Sequence, residues 1–246
     1  MVMNKVRIQG VCIDSMSSDE YFIILNDWLN GNEKKTVSYA NAHCINIARQ
    51  NETYRRTLND FSIIIPDGKG VSIASQLKGK PFQRGINATD LTLGTFRVLE
   101  QRKARFFLLG SKPGVAEIAA KNLKDIYRKT NIAGFMDGFF SAKEEEEVIK
   151  RINESRPDVL LVGMGVPRQE IWIHDNKNRI DARIFMAVGG FFDVISGIIK
   201  RGPVWMRKAG FEWLYRLPQE PQRLWKRYLL GNPGFLFYTL IDSIKK

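Results

Sequence analysis

Arg105-Phe106-Phe107-Leu108-Leu109-Gly110-Ser111-Lys112-Pro113-Gly114 carries the reading of this chain. An apolar run closed by glycine and followed by an amphipathic stretch, Val115 to Tyr127, reads as a buried parallel strand turning into a helix. The pattern recurs. Val159 to Val162 runs into Gly163-Met164-Gly165-Val166-Pro167, and Ile184 to Val188 runs into Gly189-Gly190-Phe191. A second amphipathic helix, Ala142 to Ser155, lies between them. Upstream, Val6 to Ile13, Thr36 to Ala40 and Phe61 to Ile65 read as strands. Helices are expected after Ser17, whose pairing with Glu20 suits a capping box, and over Ala42 to Gln50, Val71 to Leu77 and Leu91 to Lys103. Alternation of this kind predicts an α/β protein: a parallel-sheet, nucleotide-binding (Rossmann-like) core with helices on both faces.

After Gly197 the texture changes. Trp205, Trp213 and Trp225 occur among Arg, Lys and Pro, so a boundary is placed between residues 1–198, the α/β domain, and 199–246, a helical, basic, aromatic C-terminal appendage. The chain has 246 residues, a 44% hydrophobic fraction and a formal net charge of +12. Ten Lys/Arg against Glu212, Glu220 and Asp242 put +7 of that in residues 200–246. Such basicity predicts a polyanionic partner, which is nucleic acid, anionic lipid or a phosphorylated substrate. Basic groups beside Trp213, Leu214, Leu217, Leu224 and Trp225 have the composition of a segment lying on an anionic membrane surface, where each contributes roughly 1 kcal/mol. The same stretch could bind RNA or cover the core. No nucleic-acid-reading module is apparent, and no nucleic-acid partner is expected. Two cysteines, Cys12 and Cys44, and two histidines in no ligand spacing argue against a zinc site and a disulfide scaffold. No metal and no cofactor is expected. Neither a signal peptide nor a membrane-spanning run is expected, which predicts a cytoplasmic protein peripheral on the inner face of the plasma membrane.

Glycine lets backbone approach a ligand, and a helix N-terminus offers free N–H groups to phosphate. Three glycine turns at strand ends therefore form the candidate nucleotide site: Gly110 with Lys112, Gly163 and Gly165 with Pro167, and Gly189 and Gly190 with Asp193. None is a phosphate-binding loop of the ATPase type or a complete GxGxxG, which disfavours ATP hydrolysis and simple dehydrogenase chemistry. Asp67, at the end of an apolar strand in Pro66-Asp67-Gly68, could take a proton from a sugar hydroxyl or serve as a helix cap or turn aspartate. Asn41 could orient a sugar or cap the next helix. Arg84 could hold a diphosphate or stand solvated. Gln169 and Glu170 open a helix, where amides and acids are favoured in any case. His43 has no nearby carboxylate in sequence and reads as a packing or helix-start residue.

These motifs together resemble the WecG/TagA/CpsF glycosyltransferase family over nearly the whole chain. The matching blocks are Asn41-Ala42, Pro66 to Val71, Thr89-Asp90-Leu91, Phe107 to Ala116, Gly163 to Glu170, Val188 to Asp193, Lys200 to Pro203 and Gly210 to Leu217. The resemblance implies an inverting, metal-independent transferase. It would move a sugar, glucose or N-acetylmannosamine, from a UDP-sugar donor to a polyprenyl-pyrophosphate-linked sugar acceptor in bacterial surface polysaccharide synthesis. It further implies Asp67 as general base, Asn41, Arg84 and Gln169 lining the pocket, and Arg216 and Arg223 closing over pyrophosphate. Arg84-Gly85-Ile86-Asn87-Ala88-Thr89-Asp90 is one residue longer than the family's pattern. His43 stands where glutamate is common, which resembles the glucose-using members. Lys226 stands where arginine is frequent. A nucleotide-sugar hydrolase or epimerase on the same fold is the rival enzyme, and homo-oligomerisation is left open.

Overall fold

The computed structural model describes residues 4–83 and 87–244; Arg84 and its neighbours Gly85 and Ile86 lie outside them. Eight strands are present among the described residues: β1 (Asn4–Ile8), β2 (Val11–Ser15), β3 (Lys35–Ala40), β4 (Ile63–Pro66), β5 (Arg105–Gly110), β6 (Asn131–Met136), β7 (Val159–Gly163) and β8 (Ile184–Ala187). β1 and β2 form an antiparallel two-stranded sheet, and the other six form a parallel sheet in the order β4-β3-β8-β7-β5-β6. Helices pack against this sheet, and a series of helices runs from Val204 to Ile244. This is the α/β, Rossmann-like architecture that the glycine-closed apolar runs predict, with its helical C-terminal segment.

The strand order locates a ligand crevice. From β5 the chain passes through the helix Val115–Ile126 to β6 at the sheet edge; from β7 it passes through the helix Arg168–Asn176 the opposite way, to β8. Right-handed crossovers in opposite directions put these helices on opposite faces. Val115–Ile126 packs on β5, β6 and the short helix Phe191–Ile195, whereas Arg168–Asn176 packs on β7 and β8. The carboxyl ends of β5 and β7 therefore flank a topological switch point, where open α/β sheets take their ligands.

Three elements differ from the sequence expectation. The single strand expected over Val6 to Ile13 is a hairpin, broken where Gln9 and Gly10 both take positive φ (47° and 86°) and Ile8 pairs with Val11. β6 was not anticipated, because an edge strand needs no continuous apolar run and most of its residues are only half-buried. The helix Glu52–Asn59, also unforeseen, starts at Asn51, whose side chain accepts from the Tyr54 N–H at 2.9 Å.

Contacts divide the chain into two compact units. One comprises the stretch up to Ser17, Tyr39–Ala88 and the chain from Ile199 onward; the other comprises Ser18–Ser38 and Thr89–Ile198. In the first unit the helix Gly231–Ile244 packs on the helices Ala42–Gln50 and Lys69–Leu77. Its Phe235 is fully buried, facing Gly70. The hairpin turn holds the same helix, since Gln9 Nε2 donates to Phe235 O and Thr239 Oγ1, both at 2.9 Å. Lys78 pairs with Asp242 at 2.7 Å. In the second unit the core includes Phe96 stacked on Phe106, with ring centres 4.4 Å apart.

Candidate functional site

In the second unit the three glycine turns stand side by side. Gly110 and Gly163 are register partners at the ends of β5 and β7. A Cβ on Gly110 would come 2.4 Å from the Gly163 carbonyl oxygen, and one on Gly163 would come 2.8 Å from that of Gly189. Real Cβ contacts do not come so close, so these two positions need glycine for the approach of the turns to one another. Gly165 and Gly189 differ. Both have positive φ (79° and 54°), and a Cβ on either would face open space. Gly190 opens the helix Phe191–Ile195, and Asp193 on that helix accepts from the Ser111 hydroxyl in the first turn. Lys112 is exposed, and Pro167 opens the helix Arg168–Asn176.

Gln169 is buried, and its amide ties two of the turns together. Its Oε1 accepts from the Gly165 N–H at 3.3 Å and the Gly189 N–H at 3.0 Å. Those two N–H groups are thus taken within the protein, a use that the expectation of N–H groups offered to phosphate had not included. Gln169 Nε2 donates to Glu170 Oε1 at 2.8 Å, and Ser38 Oγ donates to the same oxygen at 3.1 Å. Glu170 Oε2 has no partner among the described residues. Burial pushes the Glu170 carboxyl up to about 7, against the pull of its hydrogen bonds to Gln169, its own backbone and Ser38. Glu170 was passed over in the sequence because an acid at a helix start needs no special reason.

In the first unit Asn41 and Asp67 follow β3 and β4, neighbours in the sheet. The Asp67 N–H donates to the Ala40 carbonyl at 2.9 Å, fixing the two strand ends together. Asn41 caps the helix Ala42–Gln50: its Oδ1 accepts from the His43 N–H at 3.1 Å and the Cys44 N–H at 3.2 Å. The capping alternative is thereby realised, and the amide NH₂ of Asn41 donates to no group among the described residues. Asp67 is half-buried, and its Oδ1 accepts from the Ala88 N–H at 3.3 Å, at the start of the helix Ala88–Leu99. Oδ2 has no partner among the described residues.

The basic tail contributes to this unit. Arg216 and Arg223 converge on Glu220: Arg223 donates through Nε at 2.8 Å and through NH2 at 2.6 Å, and Arg216 NH2 lies 3.3 Å away. Partial burial opposes the Glu220 charge, but Arg223 and Arg216 outweigh it and hold the carboxyl below its usual range. Arg216 Nε is buried without a partner among the described residues. His43 is pushed down to about 4, first by burial and then by the charges of Arg227 and Arg223. A neutral imidazole therefore sits beside a cationic cluster at the head of the helix Ala42–Gln50. Lys226 Nζ lies 5.4 Å from the Trp225 ring centre. Among the described residues no group of three or more His, Cys, Asp or Glu could hold a metal ion. No helix among them is long and apolar enough to cross a membrane.

The model of the WecG/TagA/CpsF glycosyl transferase family matches residues 6–246. The chain belongs to that family. It is 35% identical over 213 residues to the N-acetylglucosaminyldiphosphoundecaprenol N-acetyl-β-D-mannosaminyltransferase of Bacillus spizizenii, covering 87% of this chain and 81% of the relative. The enzyme of the same name from Bacillus subtilis is 34% identical, with 85% and 80% covered. That of Staphylococcus aureus is 34% identical, with 80% and 76% covered. The protein is thus a glycosyltransferase, which sets aside both the nucleic-acid-binding reading and the hydrolase or epimerase reading. The glucose affinity suggested by His43 finds no support in these relatives, all of which bear the name of N-acetylmannosaminyl transfer.

Proposed function

We propose that the chain transfers N-acetylmannosamine from UDP-N-acetylmannosamine to N-acetylglucosamine carried on a polyprenyl diphosphate, with inversion at the transferred sugar's anomeric carbon. The observation that carries this reading is the likeness to relatives named for that donor sugar and that acceptor, over four-fifths or more of both chains in the Bacillus cases. The geometry supports a division of labour. The Gly110, Gly163–Gly165 and Gly189–Gly190 turns, at a switch point, suit a nucleoside diphosphate. Asp67, with one oxygen bound to the Ala88 N–H and the other without a partner among the described residues, suits a general base. It takes the proton of the acceptor hydroxyl as that oxygen attacks the anomeric carbon and the bond to UDP breaks. Asn41 keeps its NH₂ for a sugar hydroxyl. Arg216 and Arg223 are assigned to the pyrophosphate, where a bidentate guanidinium stabilises negative charge without a metal ion. Arg84 has the same assignment, on resemblance.

The segment from residue 199 is proposed to dock on anionic lipid at the inner face of the plasma membrane. Trp205, Leu230 and Phe237 are 66%, 63% and 59% exposed, and Trp225 and Leu229 stand near them in sequence among Arg223, Lys226 and Arg227. Incubation with UDP-N-acetylmannosamine, UDP-glucose and UDP-N-acetylglucosamine, each with a short-chain prenyl-diphospho-N-acetylglucosamine, tests the reading. Mass spectrometry should show one added N-acetylhexosamine with the first donor alone. Transfer of glucose in its place overturns the sugar assignment, and UDP release without any lipid product overturns the acceptor assignment.

A further inference from the structure

Glu170 is a fully buried acid whose carboxylate no step of the proposed reaction uses, and one of its oxygens has no partner among the described residues. Burying a carboxyl in that state is costly, and a cheaper residue would close the helix–sheet contact as well. Its neighbours show what it does. Gln169 spans two of the glycine turns, and it can do so in only one orientation of its amide. Both groups it meets there, the N–H of Gly165 and the N–H of Gly189, are donors, so the amide must present oxygen to them. Its NH₂ then points the other way and needs an acceptor. Glu170 Oε1, 2.8 Å away, supplies one. Ser38 Oγ donates to the same oxygen at 3.1 Å, from the strand β3. A carboxyl oxygen there rewards the working orientation, and a rotated amide would set oxygen against oxygen at one end and hydrogen against hydrogen at the other.

We propose that Glu170 is a positioning residue, which locks the Gln169 amide and through it sets the spacing of the Gly165 and Gly189 turns for the nucleoside diphosphate of the donor. This rests on the assignment of those turns to the donor. Either charge state of Glu170 serves, because a neutral carboxyl's carbonyl oxygen also accepts. The lock therefore asks for an acceptor at this place rather than for a charge. Glutamine at position 170 keeps an acceptor; methionine fills the same volume and offers none.

Calorimetric titration of UDP into the wild-type chain, Glu170→Gln and Glu170→Met, with a thermal melt of each, tests the proposal. Wild-type and Glu170→Gln should bind UDP with affinities within about threefold. Glu170→Met, folded, should bind at least tenfold more weakly, and its KM for the UDP-sugar should rise while the KM for the lipid acceptor stays unchanged. Glu170→Ala replaces Glu170→Met should the latter not fold. A folded apolar variant that binds UDP as the wild type does overturns the proposal, as does a folded Glu170→Gln that loses tenfold or more. Failure of the wild-type chain itself to bind UDP overturns the donor assignment and the proposal with it, so the two failures are told apart by the first titration.

Discussion

Replacing Asp67 by Asn separates its two roles. The carboxylate accepts from the Ala88 N–H through Oδ1 at 3.3 Å, an acceptor that an asparagine carbonyl reproduces, so the start of the helix Ala88–Leu99 keeps its partner. Loss of such a helix-start acceptor typically costs ~1 kcal/mol, and Asp67→Asn should cost well under that. What Asn cannot do is take a proton. Removing a general base typically lowers the rate ~10²- to 10⁴-fold, which is about 3–5 kcal/mol in the barrier at ~1.36 kcal/mol per tenfold. Asp67→Ala removes acceptor and base together, so it should match Asn in rate and fall below it in stability by about the cap's ~1 kcal/mol. Steady-state transfer to a short-chain acceptor, beside urea or thermal unfolding, reads both quantities, and UDP binding should be unchanged in Asp67→Asn. If Asp67→Asn keeps more than about a third of the wild-type kcat, far above a ~10²-fold loss, then Asp67 serves the fold alone and the base lies elsewhere.

Arg216→Ala and Arg223→Ala should each lower kcat on a water-soluble acceptor; full activity there would make the tail an anchor with no part in the chemistry. Transfer should survive excess EDTA, and complete loss restored by Mg²⁺ or Mn²⁺ would overturn leaving-group stabilisation by arginine. Phe235→Ala, at a fully buried site against Gly70, should destabilise its unit by about 3–5 kcal/mol in chemical denaturation; a change under ~1 kcal/mol would contradict the packing described. His43, held at about 4 against an ordinary 6.5, binds its proton less readily folded than unfolded, so its contribution is present above pH 6.5 and is lost as pH falls from 6.5 towards 4. His43→Asn should flatten that part of the stability profile, and an unchanged slope would show that other groups cause it. Liposome flotation should need anionic lipid and weaken with salt; flotation on neutral vesicles in high salt would contradict the electrostatic part of the docking.

The sheet core was legible because β5, β7 and β8 are continuous apolar runs closed by glycine, and buried parallel strands need that composition. β6 escaped because it lies at the edge, and the β1–β2 hairpin because Gln9-Gly10 interrupts an otherwise convincing strand by a single tight turn. Among the candidate site residues, position at a strand end pointed to Asn41 and Asp67, each with capping as the alternative to a sugar contact; that the Asp67 oxygen meets the Ala88 N–H, 21 residues further on, needed the fold. The Gly110 and Gly163 requirement turned out to be one turn against another, a reason visible only when their register is known. Glu170 was illegible for a general reason: the role proposed for it rests on a buried oxygen unpaired among the described residues and on the neighbour's amide orientation, and neither leaves a trace in residue type or spacing. The meeting of Arg216 and Arg223 on Glu220 was within reach by spacing, four residues before and three after, although a turn separates the helix that ends at Arg216 from the helix Pro221–Trp225 that Glu220 precedes.

The anchoring of the helix Gly231–Ile244 by Gln9 has a consequence for the order of events during synthesis. Gln9 Nε2 waits for acceptors 226 and 230 residues further on, so a stretch made well before them is among the last to find its native partners. The unit formed by Ser18–Ser38 and Thr89–Ile198 has all its residues outside the ribosome earlier than the unit that contains the first strands. Until then the hairpin and the helices Ala42–Gln50 and Lys69–Leu77 lack the cover of Phe235, and that apolar surface is open to chaperones and to other nascent chains. Early termination between residues 199 and 230 therefore leaves a chain with one unit complete and the other without its keystone, a product marked for proteolysis by the surface it shows.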